Sequence, residues 1–292
     1  MNNWYYLTIS EVVMSISPLR YPGGKSRIAP MVYGLIKSSS PTITTYYEPF
    51  CGGAGVALYL LINDLVEHIA INDFDRAIYS FWRAVLTDTN ELITMIESTP
   101  ITVDEWKRQK VIYQNSSKYS VKYAFATFFL NRTNRSGIIS AGPIGGYKQD
   151  GDWKIDERFN KNEMINRITT ISKYKKRIKI NNMDIRRYIV TQKLDETCFI
   201  FFDPPYINNA KRLYKNALTL KDHIEIADDI KRICKARWII TYDDMELIHS
   251  LYSDYRITQF PIQYSAASKK KENELLILKE PTMYESIKKF LS

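Results

Sequence analysis

Thr197-Cys198-Phe199-Ile200-Phe201-Phe202-Asp203-Pro204-Pro205-Tyr206 runs from a short apolar segment straight into an acid, two prolines and an aromatic ring. An apolar run of this length, bounded by polar residues, predicts a strand buried on both faces of a sheet. Neither Pro204 nor Pro205 can donate to the ladder, and each biases the residue before it toward extended backbone. The strand should therefore stop at Asp203, with Tyr206 held near its carboxyl end. That end is where open α/β sheets bind ligands. A carboxylate, an imide carbonyl and a ring suit a planar base that carries an exocyclic amine. Asp203 and the Pro204 carbonyl accept its two N–H groups, while Tyr206 stacks on its face. Taken alone, the segment reads equally as a strand-terminating turn, and the upstream segments decide between the two.

Ile43 to Tyr47 predicts a strand, followed by Glu48-Pro49-Phe50-Cys51-Gly52-Gly53-Ala54-Gly55 and a helix from Val56 to Ile62. Strand, glycine-rich turn and helix present backbone amides to a nucleoside-bearing cofactor, because glycine allows close approach and positive φ. A second strand, Glu67 to Ile71, ends in Asn72-Asp73, and Asp73 lies 20 residues after Gly53. At that distance an acid on the next strand reaches ribose hydroxyls. Asp73 could also cap the helix Arg76 to Leu86, a task Asp75 could perform equally well. Further upstream, Leu19-Arg20-Tyr21-Pro22-Gly23-Gly24-Lys25-Ser26 leads into a helix over Arg27 to Lys37. Its glycine turn and lysine suit an anion or cofactor, but Leu19 stands where a phosphate-binding P-loop requires glycine.

Downstream the alternation of strands and helices is interrupted. Helical patterns at Glu91 to Ser98, Val103 to Asn115 and Tyr119 to Asn131 precede Asn131-Arg132-Thr133-Asn134-Arg135-Ser136-Gly137 and a long loop, Ile138 to Arg158, holding Tyr147 and Lys148. Arg, Asn, Gln and Lys read base edges, and an aromatic ring can wedge into the gap left by an extruded base. The basic run Lys173 to Arg177 is well placed to meet phosphates. Ile178 to Asn182 then predicts a strand, followed by Asp184, which is positioned to touch a cofactor's adenine. Beyond the Asp-Pro-Pro-Tyr segment come a helix (Leu220 to Lys235), a strand (Ala236 to Thr241), a helix (Asp244 to Leu251), and a hairpin from Tyr255 to Tyr264 and Glu274 to Leu278 across Lys269-Lys270-Lys271. The expected fold is α/β: a Rossmann-like, mostly parallel sheet with right-handed crossovers, an antiparallel edge hairpin and an inserted, mainly helical region.

The 292 residues suffice for one large α/β domain with an insertion. A formal charge of +9 from 41 Lys and Arg against 32 Asp and Glu points to an anionic partner. Three scattered Cys and three scattered His give neither a disulfide framework nor ligand spacing, so a reducing, cytoplasmic setting without metal is expected. No run reaches the ~18 apolar residues of a membrane span.

In this order, Arg20-Tyr21-Pro22-Gly23-Gly24-Lys25, Glu48-Pro49-Phe50-Cys51-Gly52-Gly53-Ala54-Gly55, Asn72-Asp73, an insert and Asp203-Pro204-Pro205-Tyr206 resemble the Dam-type DNA adenine N6 methyltransferases. The resemblance extends from about residue 19 to about 280. It implies an S-adenosylmethionine-dependent methyltransferase domain over 14–89 and 172–292, a target-recognition insert over 90–171, and an N-terminal extension over 1–13. It also implies double-stranded DNA as partner, with a cognate restriction endonuclease as a further, non-subunit partner. By motif, Tyr21, Lys25, Glu48, Phe50, Gly52, Gly53, Asp73, Asp184 and Asp203 would hold the cofactor. Asp203, Pro204, Pro205 and Tyr206 would grip the target amine. Arg20, Asn131, Arg132, Asn134, Arg135, Tyr147, Lys148, Lys269 and Lys270 would meet DNA. The stretch Asn131 to Lys154 differs from the recognition segment of the GATC-specific members.

Three other readings compete. N4-cytosine methylation uses a similar amine, but its enzymes more often carry Ser at the position of Asp203. A DNA-binding module with a decayed site would not keep every expected position filled. A nicotinamide dehydrogenase would leave Asp-Pro-Pro-Tyr unexplained.

Overall fold

The computed structural model describes residues 16–21, 23–207, 218–233, 235–263 and 271–291. The expected extension over 1–13, and Pro22, Cys234, Lys269 and Lys270, lie outside the described residues.

Seven strands form one sheet in the order β3-β2-β1-β4-β5-β7-β6. They are β1 (Thr45–Glu48), β2 (His68–Asn72), β3 (Ile178–Asn181), β4 (Cys198–Phe202), β5 (Arg237–Asp243), β6 (Arg256–Gln263) and β7 (Lys271–Leu278). β1 to β5 pair in parallel, whereas β7 runs antiparallel to both β5 and β6. This is the expected sheet with its antiparallel edge hairpin, and the carboxyl ends of β1, β2, β4 and β5 open on one rim.

Both faces of the sheet are covered, which is why its strands read as continuous apolar runs rather than alternating ones. Alternation is still visible in which core each residue joins. Tyr46, Ile69, Ile71, Phe199, Phe201, Ile239, Leu276 and Leu278 enter one core. Tyr47, Ala70, Cys198, Ile200, Phe202, Trp238, Ile240, Tyr242, Leu275 and Ile277 enter the other. The same parity places Glu48, Asp203, Thr241 and Glu274 on the first face, each at or near the rim.

The first core is the larger one. Helices α1 (Ala29–Lys37), α2 (Gly55–Ile62) and α3 (Arg76–Thr87) build it together with α4 (Thr89–Ser98), α5 (Val103–Asn115), α6 (Val121–Thr133) and α7 (Lys161–Ser172). The helices of the expected insert therefore share a core with the sheet. α6 is the clearest case, buried from Tyr123 to Thr133, with Phe81 of α3 stacked on its Phe128 at 5.4 Å. A helix apolar on every side has to be enclosed; each of its phenylalanines contributes ~1.5–3 kcal/mol by leaving water. The second core lies under α8 (Ile185–Thr191), α9 (Leu220–Lys231) and α10 (Glu246–Leu251), while α11 (Met283–Leu291) returns to the first, its Ile287 buried there.

Boundaries shift where local chemistry competes with periodicity. The helix expected from Arg27 opens as a single 3-10 turn, Ser26–Ile28, before α1. The helix expected to run to Lys235 stops at Lys231. α6 begins two residues later than expected because Ser120 caps it, accepting from the Tyr123 amide at 3.1 Å. Helices α7, α8 and α11 were not predicted. No helix among the described residues is long and apolar enough to cross a membrane.

Candidate active site

Two groups of side chains meet on the rim. The first surrounds the glycine turn after β1. Gly52 has φ +43°, and an added Cβ there would lie 2.7 Å from the ring of Tyr21, so only glycine lets the ring lie on that turn. From α3 the Trp82 indole donates to the Gly52 carbonyl at 2.9 Å. Gly53 packs under Ser17 and Tyr21, and the N-terminal segment thus roofs the turn.

Asp73, at the end of β2, accepts from the Gly52 amide at 2.9 Å through Oδ2 and from the Asp75 amide at 2.9 Å through Oδ1. Asp75, not Asp73, caps α3, by accepting from Ala77 at 2.9 Å. That releases Asp73 from the capping role and ties it to the glycine turn. Burial pushes its carboxyl up to about 7, with the neighbouring Asp75 charge adding to the effect. Glu48 sits beneath the turn, accepting from Ala57 in the first turn of α2 at 3.0 Å. Its carboxyl is pushed up to about 8 by burial, and the Asp203 charge adds to that shift. Phe50 is half-buried against the second core.

The second group is built on Asp203. Its Oδ1 accepts from Thr241 Oγ1 at 2.6 Å and from the Tyr206 hydroxyl at 3.1 Å, and lies 3.2 Å from Lys25 Nζ. Lys25, nearly inaccessible, also donates to the Gly23 carbonyl at 2.9 Å, lies 3.4 Å from Glu274 Oε2, and sits 4.9 Å from the centre of the Tyr206 ring. Tyr206 donates to Glu274 Oε2 at 2.7 Å. No protein hydrogen bond engages Asp203 Oδ2 or the Pro204 carbonyl among the described residues. Pro204 is buried and Pro205 half-buried, and together they turn Tyr206 back over β5, where its ring lies 6.3 Å from that of Tyr242.

Two members of this group, Thr241 and Glu274, were not anticipated. Glu274 had a signal: it immediately precedes Leu275-Leu276-Ile277-Leu278, the mirror image of Asp203 closing Phe199-Ile200-Phe201-Phe202. Thr241 is one polar residue in an apolar strand and gave none. Asn72, also missed, links both sides of the rim, donating to Pro49 and Met183 carbonyls at 3.0 and 3.1 Å and accepting from Met183 at 2.9 Å.

Several expected contacts are corrected by burial. Asn131 is 2% exposed, and its amide clamps the Arg20 backbone, accepting from its N–H and donating to its carbonyl, both at 2.7 Å; it also donates to Gly137 at 3.0 Å. Asn134 is wholly enclosed; its oxygen accepts from the Trp106 indole at 2.6 Å and its nitrogen donates to the Ile138 and Ile139 carbonyls. The Arg132 guanidinium is buried against the Pro18 carbonyl, and burial together with Arg20 and Arg167 brings it down to about 9. These three side chains are enclosed and brace the fold. Arg20 is half-buried, its guanidinium donating to the Asn134 carbonyl at 3.0 Å. Asp184 caps α8 and pairs with Arg186 at 2.9 Å, which holds its carboxyl low, so a cofactor adenine would have to compete with that pairing. Arg135, Tyr147 and Lys148 remain exposed on the insert.

The residues present fit S-adenosylmethionine. A glycine turn that any Cβ would fill, an aromatic ring lying on that turn and an acid on the next strand end suit a nucleoside-bearing donor. Among the described residues no cluster of His, Cys, Asp and Glu could hold a metal ion.

Residues 21–265 match the family model described as D12 class N6 adenine-specific DNA methyltransferase. A type II methyltransferase of Methanocaldococcus jannaschii, M.MjaIII, is 28% identical over 208 residues, covering 66% of this chain and 70% of that protein. Among solved structures, the rRNA methyltransferase aviRa from Streptomyces viridochromogenes aligns with a TM-score of 0.43 and 10% identity over 95% of this chain and 94% of that one. A SAM-dependent methyltransferase from Agrobacterium tumefaciens aligns with a TM-score of 0.41 and 10% identity over 87% of this chain and 61% of that one.

Proposed function

Because the chain belongs to the D12 class N6 adenine-specific DNA methyltransferase family, and so methylates adenine in DNA from S-adenosylmethionine, we propose that Asp203, Pro204 and Tyr206 handle the target amine and that the Tyr21–Gly52–Asp73 group holds the methyl donor. One observation carries this assignment: Asp203 Oδ1 faces Thr241, Tyr206 and Lys25, whereas among the described residues no protein hydrogen bond engages Oδ2 or the adjacent Pro204 carbonyl.

Adenine N6 is a poor nucleophile because its lone pair is delocalised into the ring. Hydrogen bonds from its two N–H groups to Asp203 Oδ2 and the Pro204 carbonyl hold those hydrogens and localise the lone pair. A bond to a charged acceptor contributes ~1.5–3 kcal/mol. Tyr206 offers its ring as a stacking face worth ~1–3 kcal/mol per base, offsetting part of the few kcal/mol needed to flip adenine out of a duplex. The bound donor supplies an electrophilic methyl group on sulfur. Tyr21, pressed on Gly52, and Asp73, tied to the Gly52 amide, shape its berth, and holding both reactants in register lowers the barrier further.

The insert, 90–171, with Arg135, Tyr147 and Lys148 exposed, is the part proposed to read double-stranded DNA; Lys269 and Lys270 would add phosphate contacts. The type II relative supports a restriction-modification setting; a cytoplasmic location and a cognate endonuclease that the same mark would block are part of this proposal. The test is to incubate the purified protein with methyl-labelled donor and DNA from a methylation-deficient host, then hydrolyse to nucleosides. Label in N6-methyladenine that vanishes with Asp203→Ala supports the assignment. Label in N4-methylcytosine, or turnover unchanged by that substitution, rejects it.

A further inference from the structure

Glu274 is an acid with 2% exposure on β7, paired in register with Asp243 at the end of β5. Nothing in the methyl-transfer scheme above uses it. A carboxylate taken out of water is costly, and well-packed apolar residues often serve stability better than a buried ion cluster. Its neighbours Leu275 to Leu278 are such residues. A charge kept at this rim therefore asks for a role in the site.

The Lys25 ammonium donates to Gly23 O at 2.9 Å and pairs ionically with two carboxylates, Asp203 Oδ1 at 3.2 Å and Glu274 Oε2 at 3.4 Å. Tyr206 has one hydroxyl hydrogen facing two carboxylates, and the 2.7 Å contact to Glu274 is shorter than the 3.1 Å contact to Asp203. Glu274 thus draws the Tyr206 hydrogen and a share of the Lys25 charge away from Asp203. Without its charge, more of both would fall on Asp203, which would become a weaker acceptor, and the 2.7 Å contact that tethers the ring would weaken.

We propose that Glu274 is a positioning residue for methyl transfer: by competing for Tyr206 and Lys25, it fixes the ring that stacks on the flipped base and keeps Asp203 a strong acceptor for the amine. This rests on the assignment of Asp203 and Tyr206 made above.

The test uses the full chain, labelled S-adenosylmethionine and DNA from a methylation-deficient host, with Glu274→Gln, Tyr206→Phe and the double variant. Glu274→Gln keeps shape and removes charge. Its single-turnover rate should fall on the order of a hundredfold, the loss typical of a small misplacement at a reacting centre. Dissociation constants for donor and DNA should stay within about threefold. Because both substitutions act on the one Tyr206–Glu274 contact, removing its charge in one case and its donor in the other, the double variant should be no slower than the slower single. A wild-type rate in Glu274→Gln, losses that multiply in the double variant, or a donor affinity that falls in step with the rate would each overturn the proposal. Should Glu274→Gln not fold, Tyr206→Phe decides alone: it keeps the ring, and full activity there sinks the idea equally. If the parent protein methylates no adenine, the reading of the reaction fails, and the proposal with it; if the parent is active and Glu274→Gln matches it, only the proposal fails.

Discussion

Thr241 and Asp203 are joined by a hydrogen bond of 2.6 Å, and through it a residue buried in β5 determines which oxygen of the acid stays unengaged. Both project onto the same sheet face, one from each of two adjacent parallel strands. Thr241→Val keeps the volume and removes the donor, leaving the acid free to rotate. Losing one hydrogen bond to a charged group costs about 1.5–3 kcal/mol; if half of that is felt in the transition state, turnover falls about 4- to 13-fold. Donor and DNA affinities should hold. Single-turnover rates beside equilibrium titrations check this, and Thr241→Ser should recover most of the loss.

Gly52→Ala places a Cβ 2.7 Å from the Tyr21 ring at a φ of +43°, so either the ring leaves or the turn opens. The expected outcome is a stability loss above ~1 kcal/mol and donor affinity lower by about tenfold or more, since the ring and the Gly52 amide tied to Asp73 both border the donor's berth. Calorimetric titration with S-adenosylmethionine measures the second effect, and unchanged affinity would remove the Tyr21 roof from the binding site.

Glu48 gives a pH dependence with a definite sign. Its carboxyl is raised to about 8 in the folded chain from an ordinary value of 4.5. Between those values the folded state holds a proton that the unfolded state has released. Stability therefore falls as pH rises through that window and levels off above it, by at most ~1.4 kcal/mol per pH unit for one proton. Asp73, raised to about 7, adds a second fall of the same sign. Glu48→Gln, which can still accept from Ala57, should flatten the slope without abolishing it. Denaturant melts at pH 5 to 9 would show the variant gaining on the parent as pH rises; parallel curves would exclude Glu48 as a contributor.

What could be read from the chain beforehand was whatever periodicity and punctuation encode. Apolar runs ending in Asp203 and Asn72-Asp73, and the glycine bend between them, located the rim, the strand ends and the bend proposed to hold the donor, because a strand buried on both faces has a sequence signature independent of its partners. The neighbours in space were illegible. Thr241 and Glu274 reach Asp203 only because β5 and β7 are its first and second neighbours in a sheet whose order departs from chain order. The same limit misread the insert. Asn131 and Asn134 look like base readers in a polar string, yet both lie at the buried end of a helix whose apolar circumference was visible in Tyr123 to Leu130.

That burial separates two arginines and an asparagine that sequence alone treats as one surface. Asn131 makes three hydrogen bonds that hold Arg20 and Gly137 together, and Gly137, at φ +74°, lies so close to Arg20 that a Cβ would come within 2.5 Å of its carbonyl. Asn131→Leu strands backbone groups and should cost about 2–4 kcal/mol of stability. The methylated sequence should not change, because the side chain reaches no base. Arg132→Met should likewise leave sequence preference intact. Arg135 is exposed, next to the turn that Gly142 closes by accepting from its backbone amide at 3.1 Å. If it meets a phosphate, Arg135→Ala weakens DNA binding on all sequences and lowers the salt slope by about 1; if it reads a base, preference relaxes at one position at a cost of about 1–3 kcal/mol. Salt-dependent binding curves and modification-sensitive sequencing, run on all three variants, separate these outcomes. An altered recognition sequence in Asn131→Leu, with Arg135→Ala unaffected in both assays, would reverse the assignment of which of these side chains faces DNA.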